Sequence, residues 1–471
     1  MRPLAPSSPL SWWAQARLPL FRGLAVLGLG LLFGCANASP TKSSQAAPTA
    51  TASPTITPSP TVSPSPTLSP SPTPEPPMAY KWHLWTDGTQ LRGANVYQRR
   101  VFPALDENIM GPGPLGPPYT QTDFDNLAAS GANWVNLSVP GLFTVTPPYQ
   151  PDPDVVASVD ALIQMAAKAR LYVVLSARTG PGRSEFSILR DGVGDWFGRE
   201  YLIENVWEDA QARAAWAEMW RYTAQRYRDN PVVIGYNLMV EPNADDIVRA
   251  ASPQDFFQHY QGTGYDWNAW YPDLIAAIRE VDPYTPVLVE GLGYADLRWL
   301  PYLQPVNDDR VVYAFHQYRP FDYVFQEPAD RLVYPGSFED ETGYFEANRE
   351  WLADLLDIAV AFSQRTGAPV TANEIGVVRW APGASRFMQD QMDLLEARGI
   401  SYAVWLWYAT WPPLAPEDND FNFRFGPAPG HLRNTPNPLW DTYQNFWLRN
   451  TQRPTPTAET PSPTPTQENA P

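Results

Sequence analysis

The chain has 471 residues and a formal net charge of −17, with 50 acidic against 33 basic side chains. No basic cluster interrupts its central part, which excludes nucleic acid and anionic membrane surfaces as electrostatic partners. One cysteine and four histidines exclude an intramolecular disulfide and give no zinc-type spacing, so no metal and no cofactor is expected.

Residues 1–35 combine Arg2, Arg17 and Arg22 with the apolar run 24–33 and end at Cys35. A basic start and a short apolar stretch form an export signal, too short to span a bilayer. Leu32-Phe33-Gly34-Cys35 resembles a bacterial lipobox, which implies a lipid-bearing Cys35 and an anchored protein on the outer side of the membrane. The alternative is ordinary cleavage near Ala36-Asn37-Ala38. Residues 36–77 and 451–471 are rich in Pro, Thr and Ser. They lack the apolar side chains that would offset ordering entropy, and are expected to stay disordered, the first as a tether.

Residues 78–450 are left as a single domain, in which short apolar runs alternate with amphipathic segments. Strands are predicted at 91–96, 134–139, 171–177, 232–240, 286–290, 311–317, 369–374 and 402–407. Helical periodicity covers 122–130, 155–169, 208–227, 267–281, 347–365, 385–398 and 439–448, with only a short candidate at 295–302 between the fifth and sixth strands. Asn230-Pro231 and Asp282-Pro283 stop helices ahead of strands, and Gly131, Gly367 and Gly399 stand where left-handed caps favour glycine. Eight strand–helix repeats predict an α/β fold, a (β/α)8 TIM barrel. An open doubly wound sheet would call for a glycine-rich phosphate loop, and the sequence contains none.

Such a barrel carries its active site at the C-terminal strand ends. There the fourth predicted strand leads into Glu241 and the seventh ends in Glu374, each a lone carboxylate after apolar residues. Burying a carboxylate costs several kcal/mol unless it is partnered, so two at such places favour chemistry over packing. Glycoside hydrolysis needs such a pair, one donating a proton and one facing the anomeric carbon.

Five short segments, in order along the strands, carry a family resemblance: Arg92-Gly93-Ala94-Asn95, Tyr236 through Pro242, Phe315-His316-Gln317-Tyr318, Pro369 through Gly376, and Tyr402 through Trp407. The chain resembles the retaining glycoside hydrolases of clan A, most closely the cellulase-like family 5. The resemblance implies Glu241 as acid/base, Glu374 as nucleophile, and His316, Tyr318 and Trp405 lining the sugar subsite. Two positions depart from the family pattern. Val240 stands where the family has an Asn that binds the sugar 2-hydroxyl, and Asn136 where it has an Arg near the nucleophile. Asn136 and Asn237 are therefore expected to contact substrate instead, with Asn243 also nearby.

Tyr294, Trp299, Trp196, Trp207, Trp380, Tyr408 and Trp411 follow predicted strands and suit an extended cleft for stacked sugar rings, or loop packing. The implied function is endo-type, retaining hydrolysis of a β-linked polysaccharide or oligosaccharide by a cell-surface monomer. Two alternatives stay open, a surface glycan-binding protein on the same barrel and a transglycosylase.

Overall fold

The computed structural model describes residues 78–106, 109–411 and 419–455. Cys35, the export signal and the 36–77 tether lie outside the described residues. Eight parallel strands close into a barrel: β1 (Arg92–Tyr97), β2 (Trp134–Pro140), β3 (Tyr172–Thr179), β4 (Val233–Asn237), β5 (Val287–Glu290), β6 (Val311–Gln317), β7 (Val370–Ile375) and β8 (Ser401–Val404). Each strand pairs with its sequence neighbours, and β8 pairs with β1 to complete the ring. The predicted (β/α)8 architecture is the observed one.

Apolar faces at helical spacing drive the outer layer. Pro153–Lys168 buries Val155, Val159, Leu162, Ile163 and Ala166, which fall on one face at 3.6 residues per turn. Asp152, Asp209, Asp266, Asn348 and Asn437 each accept a backbone N–H at the start of a helix, satisfying donors that the helix itself leaves free. Gly367 ends Arg349–Thr366 at φ 72°, the left-handed cap its residue type anticipates. Between β5 and β6 only the 3-10 turn Leu297–Tyr302 forms, because Pro301 cannot donate to a longer helix.

Several elements differ from expectation. The fourth strand stops at Asn237 rather than 240, and the eighth at Val404 rather than 407. Past the eighth strand, Trp405 and Leu406 leave the ladder to line a cleft, while Leu238, Met239 and Val240 past the fourth stay fully buried. The hairpin Gly336–Asp340/Gly343–Ala347 and the helices Tyr80–Thr86 and Pro253–Tyr260, all short, fall outside the predicted elements. Tyr80–Thr86 plugs the N-terminal mouth of the barrel. Trp85 meets Trp134 edge-on and donates from Nε1 to the Ile234 carbonyl, while buried Lys81 donates to the Arg228 carbonyl and Thr285 Oγ1. The C-terminal tail begins later than expected, since Pro454 is buried and Arg453 donates to the Ala128 and Gly131 carbonyls.

Gly93 shows how tightly β1 and β2 approach. A Cβ there would sit 2.0 Å from the Trp134 carbonyl oxygen and 2.7 Å from its ring. Gly93→Ala is therefore expected to destabilise the barrel by about 1–3 kcal/mol or more through overpacking, read as a lower urea midpoint with an unchanged slope.

Candidate active site

A cleft with about 1230 Å³ of atom-free space, partly open to solvent, lies at the C-terminal strand ends. Glu241, His316, Tyr318, Glu374 and Trp405 all line it, as predicted for their strands. Glu241 follows β4 in a left-handed backbone conformation, φ 52°. Its peptide is pinned on both sides: its N–H donates to Glu290 Oε2 at 2.7 Å, and its carbonyl accepts from Arg183 Nη2 at 2.8 Å.

The two carboxylates and the imidazole converge. One oxygen each of Glu241 and Glu374 and a nitrogen of His316 lie within 4.8 Å of one another. His316 Nδ1 is 3.1 Å from Glu241 Oε1 and 3.5 Å from Glu374 Oε2, and Nε2 is 3.4 Å from Glu290 Oε1. Tyr318 donates its hydroxyl to Glu374 Oε2 at 3.0 Å, while Glu374 Oε1 has no hydrogen-bond partner among the described residues. Burial pushes the Glu374 carboxyl up to about 7; Glu241 and Glu290 add to this, and the positive charges of His316 and Arg178 oppose it. Burial alone would lower His316, but the surrounding carboxylates outweigh it and raise the imidazole well above its usual value. The same trio has the spacing of a cation site.

Asn136 and Asn237 are corrections. Neither reaches the cleft wall; both are fully buried beneath it. Asn136 donates to Asn95 Oδ1 at 2.7 Å and accepts from Ser176 Oγ at 2.6 Å, while Asn237 donates to Glu290. Each is turned to partners inside the barrel because a polar group buried there is costly unless paired. Val240 is likewise buried, its N–H bonded to the Ala177 carbonyl.

The cation that Asn136 lacks comes from the next strand. Arg178, near the end of β3, lines the cleft, and its charge acts on both Glu374 and Glu241. Its Nε lies 2.9 Å from Glu185 Oε1, Nη1 donates to Ser138 Oγ at 3.2 Å, and the guanidinium sits 4.9 Å from the Tyr97 ring and 5.6 Å from that of Trp405. Tyr97 completes this wall by donating to Glu185. Of the flagged aromatics, Trp196, Tyr294 and Tyr408 line the cleft. Trp207 packs against Trp267 and Trp270, Trp299 against Phe256 and Tyr302, and Trp380 donates to the Gln326 carbonyl.

Residues 94–410 match the family described as Cellulase (glycosyl hydrolase family 5). The chain belongs to glycosyl hydrolase family 5. As a member of that family it is a glycoside hydrolase. It is 24% identical over 314 residues to endoglucanase C of Acetivibrio thermocellus, covering 61% of this chain and 83% of the relative. To a beta-xylosidase of Phanerodontia chrysosporium it is 26% identical over 270 residues, covering 53% of this chain and 47% of the relative. Its fold is similar to that of endoglucanase Cel5A from Thermotoga maritima, with TM-score 0.52, 16% identity, and 77% of this chain and 99% of that one covered. Cel5A in complex with mannotriose gives TM-score 0.50 at 17% identity, with 71% and 96% covered.

Four residues of this family 5 site escape the sequence reading: Arg178, Glu185, Tyr97 and Glu290. Glu290 had a signal, because β5 ends Val-Leu-Val-Glu, a lone carboxylate after apolar residues like those the fourth and seventh predicted strands lead into. Arg178 had a weaker one, a charged residue inside the apolar run of β3. Because Arg178 lowers the affinity of Glu374 for its proton, and the nucleophile must be ionised, Arg178→Met is expected to move the acidic limb of the kcat/KM profile to higher pH. Arg178→Lys should restore it. Both are read from pH profiles beside a thermal melt, since Arg178→Met also leaves buried Glu185 unpaired.

Proposed function

We propose that the protein is an endo-acting retaining β-glucanase, with Glu374 as nucleophile and Glu241 as acid/base. The observation that carries this reading is the pair of carboxylate oxygens within 4.8 Å on the floor of an aromatic cleft, with Glu374 Oε1 unpartnered. Retaining hydrolases hold their carboxyl groups about 5–5.5 Å apart, whereas inverting ones need roughly 6.5–9.5 Å to admit a water. The endoglucanase and Cel5A likenesses support a β-linked glucan as substrate, and the mannotriose complex of Cel5A supports tolerance of mannan.

In the first step Glu374 Oε1 attacks the anomeric carbon. The glycosidic C–O bond breaks, and Glu241 delivers its proton to the departing oxygen. Tyr318, bonded to the other oxygen of Glu374, holds the carboxylate plane toward the sugar. Arg178 stabilises the ionised form. In the second step Glu241, now a carboxylate, takes a proton from water as that water attacks the glycosyl ester. The bond to Glu374 breaks, the carboxylate is restored, and the configuration is retained. Trp405, beside Tyr97 and under the Arg178 guanidinium, offers a ring face for the sugar in this subsite. A role in binding alone is disfavoured, because a glycan-binding protein has no need of two buried carboxylates held this close.

Glu374→Ala is expected to abolish hydrolysis of β-glucan, and azide should restore turnover by forming the α-glycosyl azide. Glu241→Ala should cost roughly 10²–10⁴-fold on polysaccharide and far less on aryl glycosides whose leaving group needs no proton. Wild-type activity in Glu374→Ala, or a wild-type protein that binds but cleaves neither β-glucan, mannan nor xylan, would sink the assignment.

Export and lipid attachment at Cys35, with residues 36–77 as a tether, complete the proposal. The enzyme would then act as a monomer at the outer cell surface. Radiolabelled palmitate is expected to enter the full chain and not its Cys35→Ala variant, which should be released into the medium. Equal labelling of both would remove the anchor.

A further inference from the structure

We propose that Glu290 is a positioning residue for the reaction: its buried carboxylate binds the Glu241 backbone and faces His316, fixing them as one charged unit opposite Glu374. This inference rests on the catalytic roles proposed above. Glu290 is 0% exposed and is not part of the cleft wall, so it cannot touch substrate. Its contacts nonetheless reach the carriers of each central group. Oε2 accepts the Glu241 N–H at 2.7 Å. Oε1 accepts from Asn373, the residue before Glu374, at 2.7 Å, accepts from Asn237, and lies 3.4 Å from His316 Nε2.

Two features argue against a merely space-filling role. Glu241 has φ 52°, a conformation that a residue other than glycine adopts only where its surroundings impose it, and the Glu290 bond is one of two that pin its peptide. A neutral Gln could accept that N–H equally well. It could not offset the charge of an imidazolium. His316 is faced by Glu241 from beyond β4, Glu290 from β5 and Glu374 from β7. Tyr318 stands edge-on beside it, and the backbone at Asp296 pairs with its own. Arg178, whose charge acts on Glu241 and Glu374, is paired with Glu185. In keeping with this, Glu290 stays below the usual carboxylate range despite the opposing effect of its burial, held there by His316 and by the N–H groups of Glu241 and Asn373. Among the described residues, the charge of Glu290 is what balances His316 from the side away from the cleft. With it, His316 keeps both protons and donates from Nδ1 to Glu241 while Glu241 cycles between acid and carboxylate.

The test compares wild type, Glu290→Gln and Glu290→Asp. Nitrogen NMR of histidine-labelled wild-type protein should show His316, one of four histidines, carrying both protons at pH 7.5 or above. In Glu290→Gln that second proton should leave at lower pH. Its kcat should fall at least about tenfold with KM little changed, and the alkaline limb of kcat should move to lower pH. Glu290→Asp should recover part of both. A neutral His316 in wild type at pH 7 overturns the proposal without any variant having to fold. So does a Glu290→Gln protein with the wild-type pH profile and His316 titration, even if it is slower or melts earlier. Since the NMR readout needs no turnover, it separates failure here from failure of the catalytic assignment, which would instead show as retained activity in Glu374→Ala.

Discussion

Three carboxylates and one imidazole share the centre of the C-terminal barrel mouth, and the rest of the site is arranged around their mutual charge. Glu241, Glu290 and Glu374 are each at most 6% exposed, so each would carry a heavy desolvation cost alone. His316 stands within 3.5 Å of all three and turns part of that cost into attraction. The remaining lone pairs are met by Tyr318, Asn237, Asn373 and the Glu241 peptide N–H. The exception is Glu374 Oε1, which faces the cleft lining without a partner among the described residues. An unsatisfied, buried carboxylate oxygen is where a reacting carbon is best placed.

The same electrostatic requirement explains how the chain departs from its family without losing the site. Asn136 carries no charge, and Arg178 on the adjacent strand supplies one that acts on both carboxylates. Neighbouring parallel strands end at nearly the same height around a barrel, so a long side chain on β3 can serve a carboxylate that a residue on β2 might have served. Arg178 is itself held by Glu185 and by the Tyr97 and Trp405 rings, which fix its direction. In this chain, then, the positive charge beside the carboxylates comes from β3 and not from β2.

Much of this was legible along the chain. The alternation of strand and helix, the proline stops and the glycine caps are local signals, and local signals survive in sequence. Glu241, His316, Tyr318, Glu374 and Trp405, which line the cleft, could be singled out because each stands at or just past a strand end, a place that the strand count itself defines. Asn136 and Asn237 were misjudged by the same rule. Depth within the barrel depends on strand tilt and register, and these leave both amides below the cleft in a buried polar layer. Trp207 and Trp299 were ambiguous for a related reason, since an indole reads alike in sequence whether it faces sugar or another indole.

The sequence by itself determined the barrel, its strand order and the two acidic strand ends, because hydrophobic periodicity and chain breaks are short-range properties. Only the tertiary structure decided which polar residues face the cleft, that Arg178 supplies the missing charge, and that Glu290 stands behind Glu241 and His316. Those facts turn on distances between strands far apart in sequence, set by ring closure and by the need to pair every buried charge. No segment read alone contains that constraint.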